Sequence, residues 1–241
     1  MSALERSTTQ TAQIRLTLTS QINSGLLQAG MKLPSERELS ELFGTTRITI
    51  KEALLSLEAE GRLYCEDRRG WFVAPPRLVY NPMYRSHFHE MVERQQRQAS
   101  TRVLSVRHIV APPALCQELE LPALSRLFQI RRVRSLDGRV VMFVEHHLKP
   151  ERFPGILELD VSQSLTGVYR DHYGIRYGRS RFDIVSTAAS GDVAQALTLG
   201  EGSPVLLVSR VNYDQHGAII DCDHEYWRHD AVRISVDSRP E

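Results

Sequence analysis

Arg132-Val133-Arg134 sets two guanidinium groups two residues apart. On an extended segment they share one face, and two planar, bidentate donors on one face suit a phosphate, phosphonate or carboxylate. A second basic set, Arg37, Arg47, Lys51, Arg68 and Arg69, lies between residues 33 and 73. Cations on two short helices and a hairpin tip fit nucleic acid: Arg47 and Thr49 would face base edges or phosphates, Lys51 the backbone, and Arg37 is placed to help. The plainer alternatives are a solvated strand face with ion pairs for the arginine pair and a solvated turn on an ordinary small domain for the hairpin tip. Nine histidines raise metal ligation, notably at His87 with His89, His146 with His147, and Asp223-His224-Glu225. Adjacent strand residues point to opposite faces, so most of these cannot converge locally, and surface or packing roles are the default. The sequence has no Gly-rich phosphate loop, Ser-His-Asp order cue or metal spacing, and no catalytic residue, metal or cofactor is assigned.

The elements that must hold the first set are dense in signals. Ser35 with Glu38 forms a capping box that opens a helix with Leu39, Leu42 and Phe43 as its buried stripe, and Gly44 can take the left-handed conformation that closes it. After a short turn, Thr45 and Thr46 offer N-cap oxygens to a second helix carrying Ile50, Ala53, Leu54 and Leu57, which Gly61 ends. Two short helices so joined read as a helix-turn-helix. Residues 62–66 and 71–73 then read as a hairpin around Asp67-Arg68-Arg69-Gly70, a wing beside the recognition helix. Upstream, residues to about 10 read as loose, followed by a supporting helix with Ile14, Leu18 and Ile22 on one face, stopping near Gly25.

Pro75-Pro76 breaks the chain, giving a DNA-binding domain over 1–76, a linker over 77–99 and a second domain over 100–241. In the second domain, strands are expected over 101–110, 127–133, 140–148, 175–187, 205–213, 218–227 and 232–236, with helices over 113–121, 162–173 and 191–199. Hairpins around Asp137-Gly138 and residues 214–217 imply antiparallel pairing, so the fold class is α+β with one antiparallel sheet.

Composition is that of a globular chain of 241 residues with 41% hydrophobic and 24% charged residues, long enough for two domains. Net charge is +1, and residues 1–76 balance nine basic against nine acidic side chains. A promiscuous nucleic-acid binder is thereby disfavoured, and a local basic face with so few phosphate contacts favours a homodimer on two half-sites. Three scattered cysteines, Cys65, Cys116 and Cys222, fit a reducing compartment, and no run is apolar enough to span a bilayer, so the expected location is the cytoplasm.

The stretch LPSERELSELFGTTRITIKEALLSLEAEG resembles the DNA-binding signature of the GntR family of bacterial transcription regulators. The resemblance implies DNA contacts by Arg37, Thr46, Arg47, Thr49 and Lys51, with Arg69 and Gly70 at the wing tip. It departs from the family pattern in Thr45-Thr46, in Lys51 where Arg is common, and in Arg68 where a glycine is frequent. The remainder resembles the UTRA effector domain of the HutC subgroup, which has the chorismate lyase-like fold. Arg132-Val133-Arg134 with Asp137-Gly138, Ser164-Leu165 ahead of Tyr173-Gly174, residues 194–199 before Gly202-Ser203-Pro204, and Arg228-His229-Asp230 carry that likeness. It implies that Arg132, Arg134 and Ser164 hold the acidic end of a ligand, that Glu145, Asp221 or Tyr226 meets an ammonium or hydroxyl group, and that Phe88 and His89 close over it. TTRITI, DRRGWFV, NYDQHG and EYWRHD are also similar to regulators of 2-aminoethylphosphonate uptake and breakdown. An amino-sugar phosphate or a histidine-pathway metabolite would suit the same groups, and a chorismate lyase-like enzyme is the alternative of another class. The functional expectation is a ligand-controlled regulator with a double-stranded DNA operator and a small-molecule effector as partners.

Overall fold

The computed structural model describes the backbone of residues 3–84 and 87–237, with side chains from residue 10 onward. The chain divides into two compact units, one of Met1–Leu78 with Thr198–Gly200 and His229–Arg233, the other of Val79–Leu197, Glu201–Arg228 and Ile234–Glu241.

The first unit begins with α1 (Ala3–Asn23), so the loose start expected to about residue 10 gives way to helix from Ala3, as the helix formers in this stretch permit. Residues 1–2 lie outside the described residues. Ser35 caps α2 (Glu36–Phe43) through a complete capping box, its hydroxyl accepting from the Glu38 N–H at 3.3 Å while its own N–H donates to Glu38 Oε2 at 2.8 Å. Gly44 closes the helix at φ 58°. Thr46 caps α3 (Arg47–Ala59), accepting from the Thr49 N–H at 3.2 Å. The hairpin of β1 (Leu63–Glu66) and β2 (Gly70–Val73) follows, and residues 30–33 add to β2 through Leu33 N–H to Trp71 O and Val73 N–H to Met31 O, both 2.9 Å. Ile14, Leu18, Leu33, Leu39, Ile50, Ala53, Leu54, Leu57, Leu63, Trp71 and Val73 form one core. Leu42 is 74% exposed and leaves the stripe assigned to it, because a two-turn helix turns only Leu39 and part of Phe43 inward.

Residues 77–99 hold β3 (Leu78–Tyr80) and α4 (Phe88–Glu93), and β3 pairs with the late strand β10 (Val232–Ile234). The second unit is built on a six-stranded antiparallel sheet of β4 (Ala99–Val110), β5 (Arg126–Leu136), β6 (Arg139–Leu148), β7 (Tyr177–Ala188), β8 (Pro204–Asp214) and β9 (Ile219–Arg228), in the order β4-β5-β6-β9-β8-β7. Asp137 and Gly138 both take positive φ, 51° and 82°, as the two-residue turn between β5 and β6 requires. One face packs α6 (Leu165–Tyr173) through Phe153, Val168, Tyr169 and Ile220, and the other packs α5 (Pro113–Glu118) through Leu115, Val211 and Cys222. The helix expected from Ser162 starts at Leu165, because the Asp160 carboxylate takes the N–H and hydroxyl of Ser162 and holds that turn out of the helix. A short α7 (Gly191–Leu197) links β7 to β8.

Candidate DNA-binding face and anion cavity

Lys32, Arg37, Arg47, Arg68 and Arg69 line a single surface groove bounded by the starts of α2 and α3 and by the hairpin tip. The acidic groups of the same groove are engaged. Glu38 completes the capping box, Glu36 accepts from Trp71 Nε1 at 3.0 Å, Glu66 pairs with Arg69, and Asp67 lies 3.5 Å from Arg68. Arg47 is the first residue of α3, and it and Lys51, one turn on, are exposed. Thr46 is exposed, with its hydroxyl in the cap. Thr49 is buried, its hydroxyl 3.0 Å from that of Thr46, because it shares the inward face with Ala53. Of the expected contacts, then, Arg37, Thr46, Arg47, Lys51, Arg69 and Gly70 reach or border the open face, and Thr49 supports it from behind. Lys32 also lines the groove and was not among the expected contacts, since it stands just before the matched stretch. Arg68 sits at φ 59°, the left-handed region that glycine favours, and its side chain is 92% exposed.

In the second unit a cavity opens on the α6 face of the sheet, lined by Arg132, Arg134, Ser164, Phe88 and His89 among others. Arg132 and Arg134 reach it together because alternate residues of β5 share a face. Arg132 is 1% exposed, and among the described residues none of its hydrogen bonds goes to a carboxylate. It donates to the carbonyls of Val161 and Gln163 at 3.1 and 2.9 Å and to Nε2 of His146 at 3.1 and 2.7 Å. Burial and then the charge of Arg134 push its pKa down, so the bare cation is costly where it stands. His146 passes the interaction on, with Nδ1 2.5 Å from Asp223 Oδ1. Burial, then the Arg132 charge, push the imidazole down to about 3, so it is neutral, with Nε2 accepting and Nδ1–H donating. Asp223 also takes Arg210 Nε at 3.0 Å and Asn212 Nδ2 at 3.2 Å; burial opposes its charge, but His146 and Arg210 hold the carboxyl low. Arg134 lies over the Phe88 ring at 5.1 Å. His89 meets Thr101 Oγ1 at 2.9 Å, and burial and Arg134 lower its pKa.

Ser164 caps α6, so the positive end of that helix, with Leu165 and Thr166, forms one wall. Four arginines (132, 134, 179 and 210) face two carboxylates, Asp223 and Glu225, and both carboxylates already pair with Arg210, Glu225 at 3.6 Å. The arrangement can therefore take an anion at Arg132, Arg134 and the α6 terminus. The Glu225 end, where Trp227 Nε1 donates at 3.1 Å, can meet a donor.

Glu145, Asp221 and Tyr226 do not line the cavity. Glu145 and Tyr226 face the opposite side of the sheet, where Glu145 pairs with Arg131 at 3.1 Å and the Tyr226 ring lies tilted 6.0 Å from that of Phe143. Asp221 is on the cavity side but further along β9, closed in by Asn212 at 2.6 Å and Tyr177 at 3.4 Å. The residues that β9 does present are Asp223, Glu225 and Trp227, with His146, Arg210 and Tyr177 beside them. Strand periodicity held part of that signal, because Asp221 and Tyr226, five apart, cannot share a face.

A winged helix-turn-helix with a basic groove, together with a separate sheet unit holding an arginine-rich cavity, is the build of a transcription regulator with a sensor domain. The chain belongs to the GntR family, HutC type: the family of bacterial regulatory proteins, gntR family, matches residues 10–73, and the UTRA domain matches residues 94–233. It is 32% identical over 216 residues to the HTH-type transcriptional regulator YihL of Escherichia coli (strain K12), covering 89% of this chain and 92% of YihL. It is also 32% identical over 222 residues to the HTH-type transcriptional repressor NagR of Bacillus subtilis (strain 168), covering 90% of each. The crystal structure of PhnF from Mycobacterium smegmatis shares the fold, with a TM-score of 0.66 at 24% identity over 96% of this chain and 99% of that one. The chain is thus a transcriptional regulator and not an enzyme. Among the described residues no helix is long and apolar enough to cross a membrane.

Proposed function

We propose that this regulator binds a short palindromic operator as a homodimer, and that a small anionic or zwitterionic metabolite in the cavity weakens that binding. The carrying observation is Arg132, a buried guanidinium with no carboxylate among its hydrogen-bond partners in the described residues, beside Arg134 and the α6 N-terminus. A ligand phosphonate, phosphate or carboxylate supplies the missing charge. Release by ligand is favoured over recruitment because NagR, and the probable fructoselysine utilization operon repressor of Escherichia coli at 26% identity, are named as repressors.

The DNA contacts are assigned to Arg37, Thr46, Arg47, Lys51, Arg69 and Gly70, with Arg68 at the wing tip and Thr49 bracing the cap. Tyr80, Phe88 and His89, on the segment that follows the DNA-binding domain, line the cavity. Ligand contact with that segment alters the linker and so the spacing of two recognition helices, changing operator affinity by the ligand's differential affinity for the two states.

2-Aminoethylphosphonate is the first candidate, with its phosphonate at the arginines and its ammonium toward Glu225. An amino-sugar phosphate presents the same two ends. Isothermal titration with 2-aminoethylphosphonate, glucosamine 6-phosphate and urocanate separates them: saturable binding by one, lost in Arg132→Ala, is the expected result. Unchanged binding in Arg132→Ala overturns the cavity assignment, and intact operator binding by Arg47→Ala overturns the DNA half.

A further inference from the structure

β9 alternates: Asp223 and Glu225 enter the cavity, while Cys222 and His224 project from the opposite face, where α5 packs. There Glu118, the last residue of α5, meets both. Its Oε2 accepts from Cys222 Sγ at 2.9 Å and lies 2.9 Å from His224 Nε2, and Sγ and Nε2 are 3.6 Å apart. Among the described residues this is a group of three ligand atoms of different chemistry, all within 4.8 Å of one another. His147 is the registered partner of Cys222 across β6 and β9, on the same face, and its ring lies 5.3 Å from that of His224.

The triangle has nearly the dimensions of one face of a metal tetrahedron. Zinc bonds of about 2.3 Å to sulfur and about 2.0–2.2 Å to nitrogen or oxygen put tetrahedral ligand atoms about 3.3–3.7 Å apart. The nitrogen–oxygen side at 2.9 Å needs to open by about 0.4 Å and the sulfur–oxygen side by about 0.7 Å, within reach of the flexible Glu118 side chain, and the third already fits. Thiolate with imidazole and carboxylate is a donor set that selects zinc over calcium or magnesium. Cys222 is fully buried, whereas the Glu118 and His224 side chains are 29% and 17% exposed, so the site has a buried anchor and an approach from solvent.

We propose that Cys222, His224 and Glu118 bind one Zn²⁺, leaving a fourth position for water or, after a ring rotation, for His147. On binding, the thiol proton passes to solvent and the His224 proton moves from Nε2 to Nδ1, so one proton is released per metal. The ion would tie α5 to the strand whose alternate residues line the cavity.

Co²⁺ added to chelator-treated full-length protein tests this without effector or DNA. One equivalent should give tetrahedral visible bands with a sulfur-to-cobalt charge-transfer band, both displaced by Zn²⁺, and Cys65→Ser/Cys116→Ser should behave alike. Cys222→Ser should lose the charge-transfer band, and His224→Ala and Glu118→Gln should weaken Co²⁺ by about tenfold or more. Glu118 ends a surface helix, so Glu118→Gln keeps the test sound if the buried Cys222→Ser misfolds, which circular dichroism will show. Absence of a stoichiometric thiolate–cobalt band, its survival in Cys222→Ser, or unweakened Co²⁺ binding in a folded Glu118→Gln overturns the proposal.

Discussion

Arg132 owes its position to neutral partners. Among the described residues two carbonyls and a neutral imidazole orient the guanidinium without discharging it, and in the function proposed above the anionic group of the ligand completes it. Removing it should cost effector affinity about 10- to 100-fold, from charge-assisted hydrogen bonds of about 1.5–3 kcal/mol, and Arg132→Lys should not rescue, because an ammonium lacks the planar fork. Titration calorimetry on both variants checks this. His146 carries a pH signature. Its folded pKa, about 3, lies below its unfolded value of 6.5, and His147, at about 4, behaves alike, with burial as the first cause in both. Below pH 6.5 the unfolded chain binds protons that the folded chain does not, so stability falls as pH falls, by up to about 1.4 kcal/mol per pH unit for each histidine. Asp221, whose carboxyl burial and Asp223 push up, opposes this in part of the same window. Urea midpoints between pH 7 and 4 should therefore drop, with a shallower slope in His146→Gln. At this scale the arginine pair was legible because spacing alone put both on one face. Asp223, Glu225 and Arg210 were not, since they needed a register between strands that are far apart in the chain.

Helices α2 and α3 stand where local chemistry put them. The capping box, the Gly44 terminus and the Thr46 cap are all short-range, and short-range signals survive without knowledge of the fold. Ser35→Ala should lower the stability of the DNA-binding unit by about 0.5–2 kcal/mol, read from its thermal midpoint, while Arg47 contacts persist in the folded fraction. β7 shows the opposite case. It bulges against β8 between Tyr177 and Arg179, and a Cβ on Gly178 would stand 2.3 Å from the Asp214 carbonyl oxygen, a backbone atom that cannot swing aside. Gly178→Ala should push the flanking Tyr177 and Arg179, both cavity residues, out of line and weaken effector binding more than Gly217→Ala, whose Cβ meets nothing. Calorimetry on the two variants decides it. The sequence marks Gly178 only as a glycine in a strand, and the carbonyl that makes it necessary lies on a strand 36 residues later.

For the molecule as a whole, coupling between effector and operator must be reciprocal. If ligand weakens operator binding by some factor, saturating operator must weaken ligand binding by the same factor, within about 5- to 150-fold for ordinary couplings. Titrating ligand into free protein and into the operator complex measures it, and unequal factors would rule out a two-state regulator. The two-part plan was readable because Pro75-Pro76 breaks the chain after the hairpin and a long series of alternating segments begins at about residue 100. Phe88 and His89 were expected at the cavity only through the family resemblance, and Tyr80, Pro82, Tyr84 and His87 beside them were not, because nothing in that segment's composition shows what it packs against.

The alternation of β9 also bears on how such a protein can change its ligand. Inserting one residue just before Cys222 would, unless a bulge such as the one already present near Ile220 absorbed it, turn the residues beyond it to the other face, sending Cys222 and His224 toward the cavity and Asp223 and Glu225 away from it. Point substitution is free of that penalty: odd-numbered positions can be rewritten to suit a new metabolite while even-numbered positions stay as they are. Under the proposed function, such sensors could diversify their ligands at every second position between Cys222 and Glu225 and must keep that stretch of the strand in register.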